Sequence, residues 1–217
     1  GHTEPEQPLG FVVPPNAAPP TFLNRLGSLL VDVGRRLTTQ QARTVTKVST
    51  SSRGDEAPLA FPLLQDRMNR LPGPVEALAL GWTGGTPPYE LRVVPQQAGV
   101  RELAHLDNLS VPRVTIPFTQ PLVPGYVRVS VADHDGARVE GTFEVIEAAP
   151  PPTDQDLAQA DLPGSLRTLL AADGWAKRSP TQWSLYTYQF VAPLADSFDP
   201  ARLLRDCLET VDTCHDR

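Results

Sequence analysis

The chain has 217 residues, 40% hydrophobic and 20% charged, with a formal net charge of −6. This composition is typical of a globular protein, and the acidic balance argues against a nucleic-acid binder, which usually presents a basic face. Two cysteines and four histidines are too few for a cysteine-rich zinc module or a histidine-rich metal centre, so we expect no cofactor. No apolar run approaches the roughly 20 residues that span a bilayer.

Residues 1–20 are predicted to form a proline-rich tether. Residues 3–20 contain six prolines and show no apolar period, which favours an extended, polyproline-like segment. The chain begins Gly1-His2, without an initiator methionine. We therefore expect an exported protein, periplasmic or extracellular, whose signal peptide or membrane anchor lies outside this sequence.

Residues 21–74 are predicted to hold one helix followed by irregular strands that pack on a larger domain. Thr21 is a suitable N-cap, and apolar residues at spacings of three and four follow it to Leu37, which predicts an N-terminal amphipathic helix. Residues 43–50 alternate as a strand does. Residues 58–64 are apolar, but two prolines confine them to a sheet edge or an irregular stretch.

Residues 75–147 are predicted to form an antiparallel, immunoglobulin-like β-sandwich. Apolar and polar residues alternate over short runs that proline, glycine and aspartate turns separate every ten residues or so. The predicted strands lie at 76–83, 89–95, 101–109, 112–118, 126–133 and 137–147. In the fifth run, Val127, Val129 and Val131 share one face, which a second sheet must cover.

Two motifs in this region carry a family resemblance. Trp82, Gly84, Gly85, Pro88 and Tyr89 lie in GWTGGTPPYELRV, and PGYVRVSVADHDGARVEGTFEV follows about thirty residues later. The pair resembles bacterial extracellular immunoglobulin-like domains, in which a tryptophan-bearing strand runs through a GG-x-PPY turn into the next strand. The resemblance implies a β-sandwich over one third of the chain and says little about function, because such sandwiches host many roles.

The C-terminal part is predicted to be a proline- and acid-rich linker at 148–162 and a helical tail at 163–217. Ser165 is expected to cap a helix interrupted at Gly174, Pro180 to begin a second helix, and Asp199-Pro200 to begin a third. Whether the tail packs on the sandwich or caps a neighbouring repeat stays open. The overall expectation is therefore a mostly β (α+β) fold.

The two cysteines, Cys207 and Cys214, allow two interpretations. On one continuous helix they lie about 10.5 Å apart, too far for a disulfide bond, so a bridge requires the helix to stop near Val211 and the tail to fold back. Otherwise, Cys207 is a buried thiol and Cys214 an exposed one.

No catalytic motif is visible in the sequence. There is no G-x-S-x-G elbow, P-loop or G-x-G-x-x-G, so we expect no enzyme. Asp133, Asp135 and His134 lie together, but two carboxylates are too few for a Ca²⁺ site, and a hairpin turn explains them.

These features lead to three hypotheses of different classes. The first is a non-catalytic envelope module, in a membrane-anchored bacterial protein, that binds a protein partner or senses a signal. Its contact residues would be those left exposed by the strand pattern: Tyr89, Arg92, Tyr126 and Arg128. The second is a receptor for a glycan or a metal chelate, with a pocket lined by Trp175, Trp183 and Tyr186. The third is a hydrolase of unknown type.

Overall fold

The computed structural model describes residues 57–65, 67–97, 99, 101–148 and 161–210. The tether predicted at 1–20, the helix predicted from Thr21, the strand predicted at 43–50 and Cys214 lie outside the described residues. In the part of the chain that is described, no helix is long and apolar enough to cross a membrane.

The described residues form a run of strands followed by a run of helices. The strands are β1 (Asn69–Pro72), β2 (Val75–Gly81), β3 (Tyr89–Pro95), β4 (Ala104–Leu109), β5 (Arg113–Leu122), β6 (Gly125–Ala132) and β7 (Arg138–Ile146). The helices are α1 (Gly164–Arg178), α2 (Pro180–Val191), a short 3₁₀ helix (Ala192–Leu194) and α3 (Asp199–Leu208). All six predicted strands are confirmed, with bounds that differ by a few residues.

The strands pack as a β-sandwich of two sheets. One sheet has five strands in the order β1-β7-β6-β3-β4, and the other pairs β2 with β5. All pairings are antiparallel except that of β1 with β7, which is parallel. The chain passes repeatedly from one sheet to the other, which is the connectivity of immunoglobulin-like and fibronectin type III-like sandwiches.

The β6–β7 hairpin shows how the sequence sets the register. Val127, Val129 and Val131 are at most 3% exposed and fill the space between the sheets, as their alternation predicts. The turn is held by Asp133, whose Oδ1 accepts a hydrogen bond from the backbone N–H of Ala137 at 2.8 Å, and by Gly136 at φ +85°. The hairpin-turn interpretation of residues 133–136 is therefore confirmed.

The GG-x-PPY motif closes one end of the sandwich. Trp82 is fully buried, and its ring meets that of Tyr89 edge-on at 5.3 Å between centroids. The Tyr89 hydroxyl donates to the carbonyl oxygen of Gly84 at 3.0 Å. Gly84 has φ +71°, and a Cβ there would lie 2.1 Å from the carbonyl oxygen of Pro58, so both its conformation and its surroundings require glycine.

The segment before the sandwich packs irregularly against it, as residues 58–64 predict. Ala60 forms an isolated bridge to Thr83, and a turn follows. The side chain of Leu64 lies against Gly141 of β7, where a Cβ would meet the Leu64 Cβ at 2.2 Å. The four-residue strand β1, with Pro72 at its end, lacks the alternation needed to predict it separately.

The helices differ from the prediction in two details. The N-cap of α1 is Pro163, not Ser165. The helix also continues through Gly174, where the expected interruption is wrong. A glycine costs a helix about 1 kcal/mol relative to alanine, and the burial of Leu169 and Trp175 on either side offsets this cost.

Helix α2 covers the open side of the sandwich between β1 and β2. Gln189 pairs with the backbone of Ala79 in β2, accepting from its N–H at 2.7 Å and donating to its carbonyl oxygen at 3.0 Å. Asn69 of β1 accepts from the N–H of Leu185 at 2.8 Å. These side chains satisfy backbone groups that an edge strand and a helix would otherwise leave unpaired. The tail thus packs on the sandwich, and the two share one hydrophobic core.

Candidate functional site

The outer face of the five-stranded sheet carries many polar and charged side chains. Alternation turns every second residue of each strand away from the core. Strand by strand, from one edge to the other, the polar and aromatic residues on this face are Arg70; Glu144, Thr142, Glu140 and Arg138; Tyr126, Arg128 and Ser130; Glu90 and Arg92; His105 and Asp107.

A cavity of about 320 Å³ opens on this face where β1 meets β7. Tyr126, Thr142 and Glu144 line it from the sheet, and Arg67 and Met68 line it from the segment that leads into β1. The walls also include Leu64, Asn69 and Phe143. The cavity therefore combines an aromatic ring, a thioether and groups of both charges.

Two large apolar side chains beside this cavity are exposed to solvent. Met68 is 69% exposed and Tyr126 is 46% exposed. Single exposed apolar residues are common, but two that border one concave site with charged neighbours are typical of binding surfaces. Arg67 is held in place by a 3.1 Å hydrogen bond from its Nη1 to the Ser184 hydroxyl of α2, so the helices also position the cavity wall.

Three of the four predicted contact residues lie on this outer face. Tyr126 and Arg128 are exposed neighbours on β6, and Arg92 lies on the adjacent β3, opposite Ser130. The fourth, Tyr89, is 5% exposed and packs in the core against Trp82, so its prediction as an exposed contact is wrong. The physical reason is that residues two apart in a strand point to the same face, so Tyr89 faces the core together with the buried Leu91.

Arg92 is already engaged in a chain of charged groups along the sheet. Its Nε lies 2.5 Å from Glu90 Oε1, and His105 Nε2 lies 2.9 Å from the same oxygen. The hydrogen bond from Arg92, its charge and the His105 contact lower the pKa of Glu90, and the Glu90 carboxylate raises the pKa of Arg92. In contrast, Arg128 lies opposite the neutral Thr142 and Val94 across the two neighbouring strands.

The three aromatic residues predicted to bind a ligand pack against one another and against Phe190. The Trp175 ring lies 4.8 Å from that of Tyr186, and Trp183 meets Tyr186 edge-on at 6.0 Å. Phe190 lies 5.2 Å from Trp175. Trp175 is buried and Trp183 half-buried, and burial raises the pKa of Tyr186. The cluster therefore serves as the packing interface between α1 and α2.

A second polar cluster lies between the sandwich and the helices. Glu209, 2% exposed, accepts hydrogen bonds from Tyr188 Oη at 2.5 Å and from Arg113 Nε at 2.8 Å. Arg113 also donates through Nη2 to Asp206 at 3.1 Å. Gly81 makes room for this cluster, because a Cβ there would lie 2.5 Å from both the Glu209 carboxylate and the Tyr188 hydroxyl.

The Glu209 cluster is a structural anchor. Its polar groups form hydrogen bonds with one another, in a space that exists because Gly81 has no side chain. Burial, then the adjacent Glu209 carboxylate, raises the pKa of Tyr188 well above its ordinary value. The hydrogen bonds to Glu209 raise the pKa of Arg113. At neutral pH, Tyr188 thus stays a neutral phenol and Arg113 a charged guanidinium. Sequence analysis did not single out these residues, which lie far apart along the chain.

The remaining predicted sites concern metals and cysteines. Among the described residues, no group of three or more histidine, cysteine, aspartate or glutamate side chains is arranged to hold a metal ion. Cys207 is buried in α3 and is disulfide-bonded. Helix α3 ends at Leu208, before the point near Val211 where a bridge to Cys214 requires the helix to stop. The pairing of Cys207 with Cys214 stays a prediction.

Comparison with known proteins adds no family. No protein-family model matches the chain, and no curated protein matches it. Among solved structures, CopC from Methylosinus trichosporium OB3b aligns with 40% of this chain and 91% of its own, at 16% identity and a TM-score of 0.28. The fibronectin type-III domain of human fibronectin type III domain containing protein 3 aligns with 48% of this chain and 99% of its own, at 19% identity and a TM-score of 0.24.

Both of these solved structures are similar to this chain over its central part alone. The strand order and pairing given above identify the central part as an immunoglobulin-like or fibronectin type III-like β-sandwich.

Proposed function

We propose that this chain is a non-catalytic module of the bacterial cell envelope that binds a protein partner through the outer face of its five-stranded sheet. The observation that carries the proposal is the cavity between Met68 and Tyr126, two exposed apolar side chains on a mainly polar face. Tyrosine and arginine are the residues most enriched among those that dominate binding energy in protein interfaces, and Tyr126 has Arg128 beside it.

The chemistry of the face defines the partner. An apolar side chain would enter the cavity beside Met68 and Tyr126 and lose its contact with water. A carboxylate next to it would reach Arg128, which faces neutral residues on both neighbouring strands, while Arg92 is already paired with Glu90. We therefore propose that the partner presents a segment with an aliphatic or aromatic residue followed closely by Asp or Glu.

An envelope location is part of the same proposal. A disulfide bond at Cys207 favours an oxidising compartment such as the periplasm or the cell exterior. The proline-rich residues 1–20 are suited to a tether between a membrane anchor and the sandwich. Peptide mapping of protein from its native host without reduction should find Cys207 bridged to Cys214, and free thiols at both positions would contradict this location.

The aromatic cluster gives no reason to prefer a glycan or chelate receptor. Sugars stack on exposed aromatic faces, whereas the rings of Trp175 and Tyr186 face each other and Phe190. A receptor would need these helices to separate, which would expose part of the shared core.

The proposal is tested by cross-linking from the cavity. A photoactivatable amino acid replaces Tyr126 in the whole chain, which is then exposed to an envelope extract of the source organism. The matched control carries the same group in place of Val111, which is 56% exposed and lies outside the outer face. We expect a protein cross-linked from position 126 and not from position 111, through a segment that contains the predicted apolar–acidic pair.

The captured segment is then titrated against variants of the whole chain. Tyr126→Ala and Arg128→Glu should each weaken binding by roughly 30-fold or more, the loss of about 2 kcal/mol typical of dominant interface residues. Arg202→Glu on α3, an exposed arginine that does not line the cavity, should bind as the unaltered chain does. Equal affinities for all variants, or the same cross-links from positions 126 and 111, would refute the proposed binding face.

A further inference from the structure

Strand β4 is the last strand of the five-stranded sheet in the described part of the chain, and no described strand pairs with its outer edge. We propose that this edge binds a second copy of the same chain, with β4 pairing antiparallel to β4 and joining two sheets into one. The occupant is inferred from the backbone register and from the side chains that this pairing brings together.

The hydrogen bonds of β3 with its two neighbouring strands show which backbone groups of β4 point away from the sheet. Gln96 N–H donates to the Tyr126 carbonyl oxygen at 2.8 Å, so even-numbered residues of β3 bond to β6 and odd-numbered ones face β4. The pairing of Leu91 with Leu106 therefore turns the N–H and C=O of Leu106 inward to β3. The same groups of His105 and Asp107 point away from the sheet.

Antiparallel pairing centred on Leu106 matches these groups. It places His105 opposite Asp107 of the second copy, and Asp107 opposite the second His105. In both pairs, the backbone N–H and C=O groups of the two residues point towards the other copy. Each pair therefore exchanges two backbone hydrogen bonds, which makes four around the two-fold axis.

The side chains favour this register over its neighbours. His105 and Asp107 are both exposed and lie on the same outer face, so each imidazole meets a carboxylate. Shifting one strand by two residues relative to the other, in either direction, would place His105 opposite His105 or Asp107 opposite Asp107. His105 Nε2 contacts Glu90, so its other ring nitrogen is left for the second copy's Asp107.

The contact between the two copies is short. The regular part of β4 ends at Asp107, because the register with β3 shifts between Leu106 and Leu109 and Asn108 has φ +55°. Since β4 has only six residues, we expect a weak dimer whose population depends on protein concentration.

The dimer would place the two outer faces on the same side of one continuous sheet, because the two-fold axis is perpendicular to it. If these faces bind a partner as proposed above, the assembly presents two binding sites side by side. The dimer itself is independent of that proposal and is tested without any partner.

The sharpest test is disulfide trapping between two variants of the whole chain, His105→Cys and Asp107→Cys. Under mild oxidation, an equimolar mixture should form a cross-linked dimer in at least several-fold greater yield than either variant alone, since only residues 105 and 107 face each other. As a control, Asp135→Cys at the exposed β6–β7 turn replaces one member of the mixture. Equal yields in the mixture and in this control would overturn the proposal.

Sedimentation provides a second, independent measurement. The unaltered chain should shift from monomer to dimer between micromolar and several hundred micromolar protein, and a monomer throughout would overturn the proposal. Asp107→Pro removes an N–H that points away from β3, so the sheet should keep its melting temperature while the dimer weakens by about tenfold or more. Unchanged dimerisation in a folded Asp107→Pro variant would also contradict the register.

Discussion

Removing the buried carboxylate of Glu209 should weaken the attachment of the helices to the sandwich and lower the stability of the whole fold. Glu209→Ala would leave the buried Tyr188 hydroxyl and part of the Arg113 guanidinium without an acceptor. Breaking a buried pair typically costs about 3–5 kcal/mol. The Arg113 side chain is 43% exposed and can turn to water, so we expect the lower end of that range, about 3 kcal/mol.

The consequence is measurable as a melting temperature. In a domain of this size, each kcal/mol corresponds to about 2–4 °C, so Glu209→Ala should melt roughly 6–12 °C below the unaltered chain. Glu209→Gln keeps the shape and an acceptor for Tyr188 but loses the charge. Its decrease should therefore be smaller. Circular dichroism on heating, supported by urea unfolding at one temperature, measures both variants.

A matched control lies on α3, the helix that Glu209 directly follows. Arg202 and Asp199 of α3 form an exposed ion pair at 2.9 Å, and such pairs contribute at most about 1 kcal/mol. Arg202→Ala should therefore melt close to the unaltered chain. If Glu209→Ala and Arg202→Ala melt at the same temperature, then the Glu209 cluster does not anchor the helices and the interpretation of this site is wrong.

Other substitutions test the remaining close contacts. Gly84→Ala should lower the melting temperature more than Gly136→Ala. Both residues have positive φ, but only a Cβ at position 84 would meet backbone oxygens of the preceding segment. Equal decreases would contradict that contact. Gln189→Met should cost about 1–3 kcal/mol and speed hydrogen exchange of the β2 amide that it caps; unchanged exchange would show that the cap is not formed. Because the folded-state pKa of Tyr188 is raised, the unfolded chain loses its phenolic proton first, so stability should fall as pH rises above about 10. Urea unfolding at increasing pH should show a shallower decline for Tyr188→Phe, and an identical decline would refute the linkage.

Much of the sandwich was predictable because strand patterns are local. The alternation of Val127, Val129 and Val131 identifies both a strand and its buried face, and the turn at Asp133 to Gly136 follows from residue types alone. The same reasoning applied strictly to residues 89–95 would have placed Tyr89 inside, in phase with Leu91. Alternation along the strand, and not residue type, decides that the Tyr89 ring is buried.

The candidate site was only half predictable. Tyr126 and Arg128 follow from alternation on β6, but the cavity beside them also needs Met68, which reaches it from a segment with no regular pattern. Thr142 and Glu144 alternate outward on β7 and could have been added from the sequence. Their proximity to Met68 depends on the parallel pairing of β1 with β7. The four residues of β1, which end in proline, show no pattern that predicts this pairing.

Sequence by itself determined the elements, because a period of two or of 3.6 residues and the conformations of proline and glycine act within a few positions of the chain. Tertiary structure alone decided which elements meet. Gln189 caps a strand 110 residues away, and Glu209 is 96 residues from Arg113. Contacts of this kind arise from the docking of α2 and α3 on the open side of the sandwich, and burial at that interface depends on surfaces that no local pattern encodes.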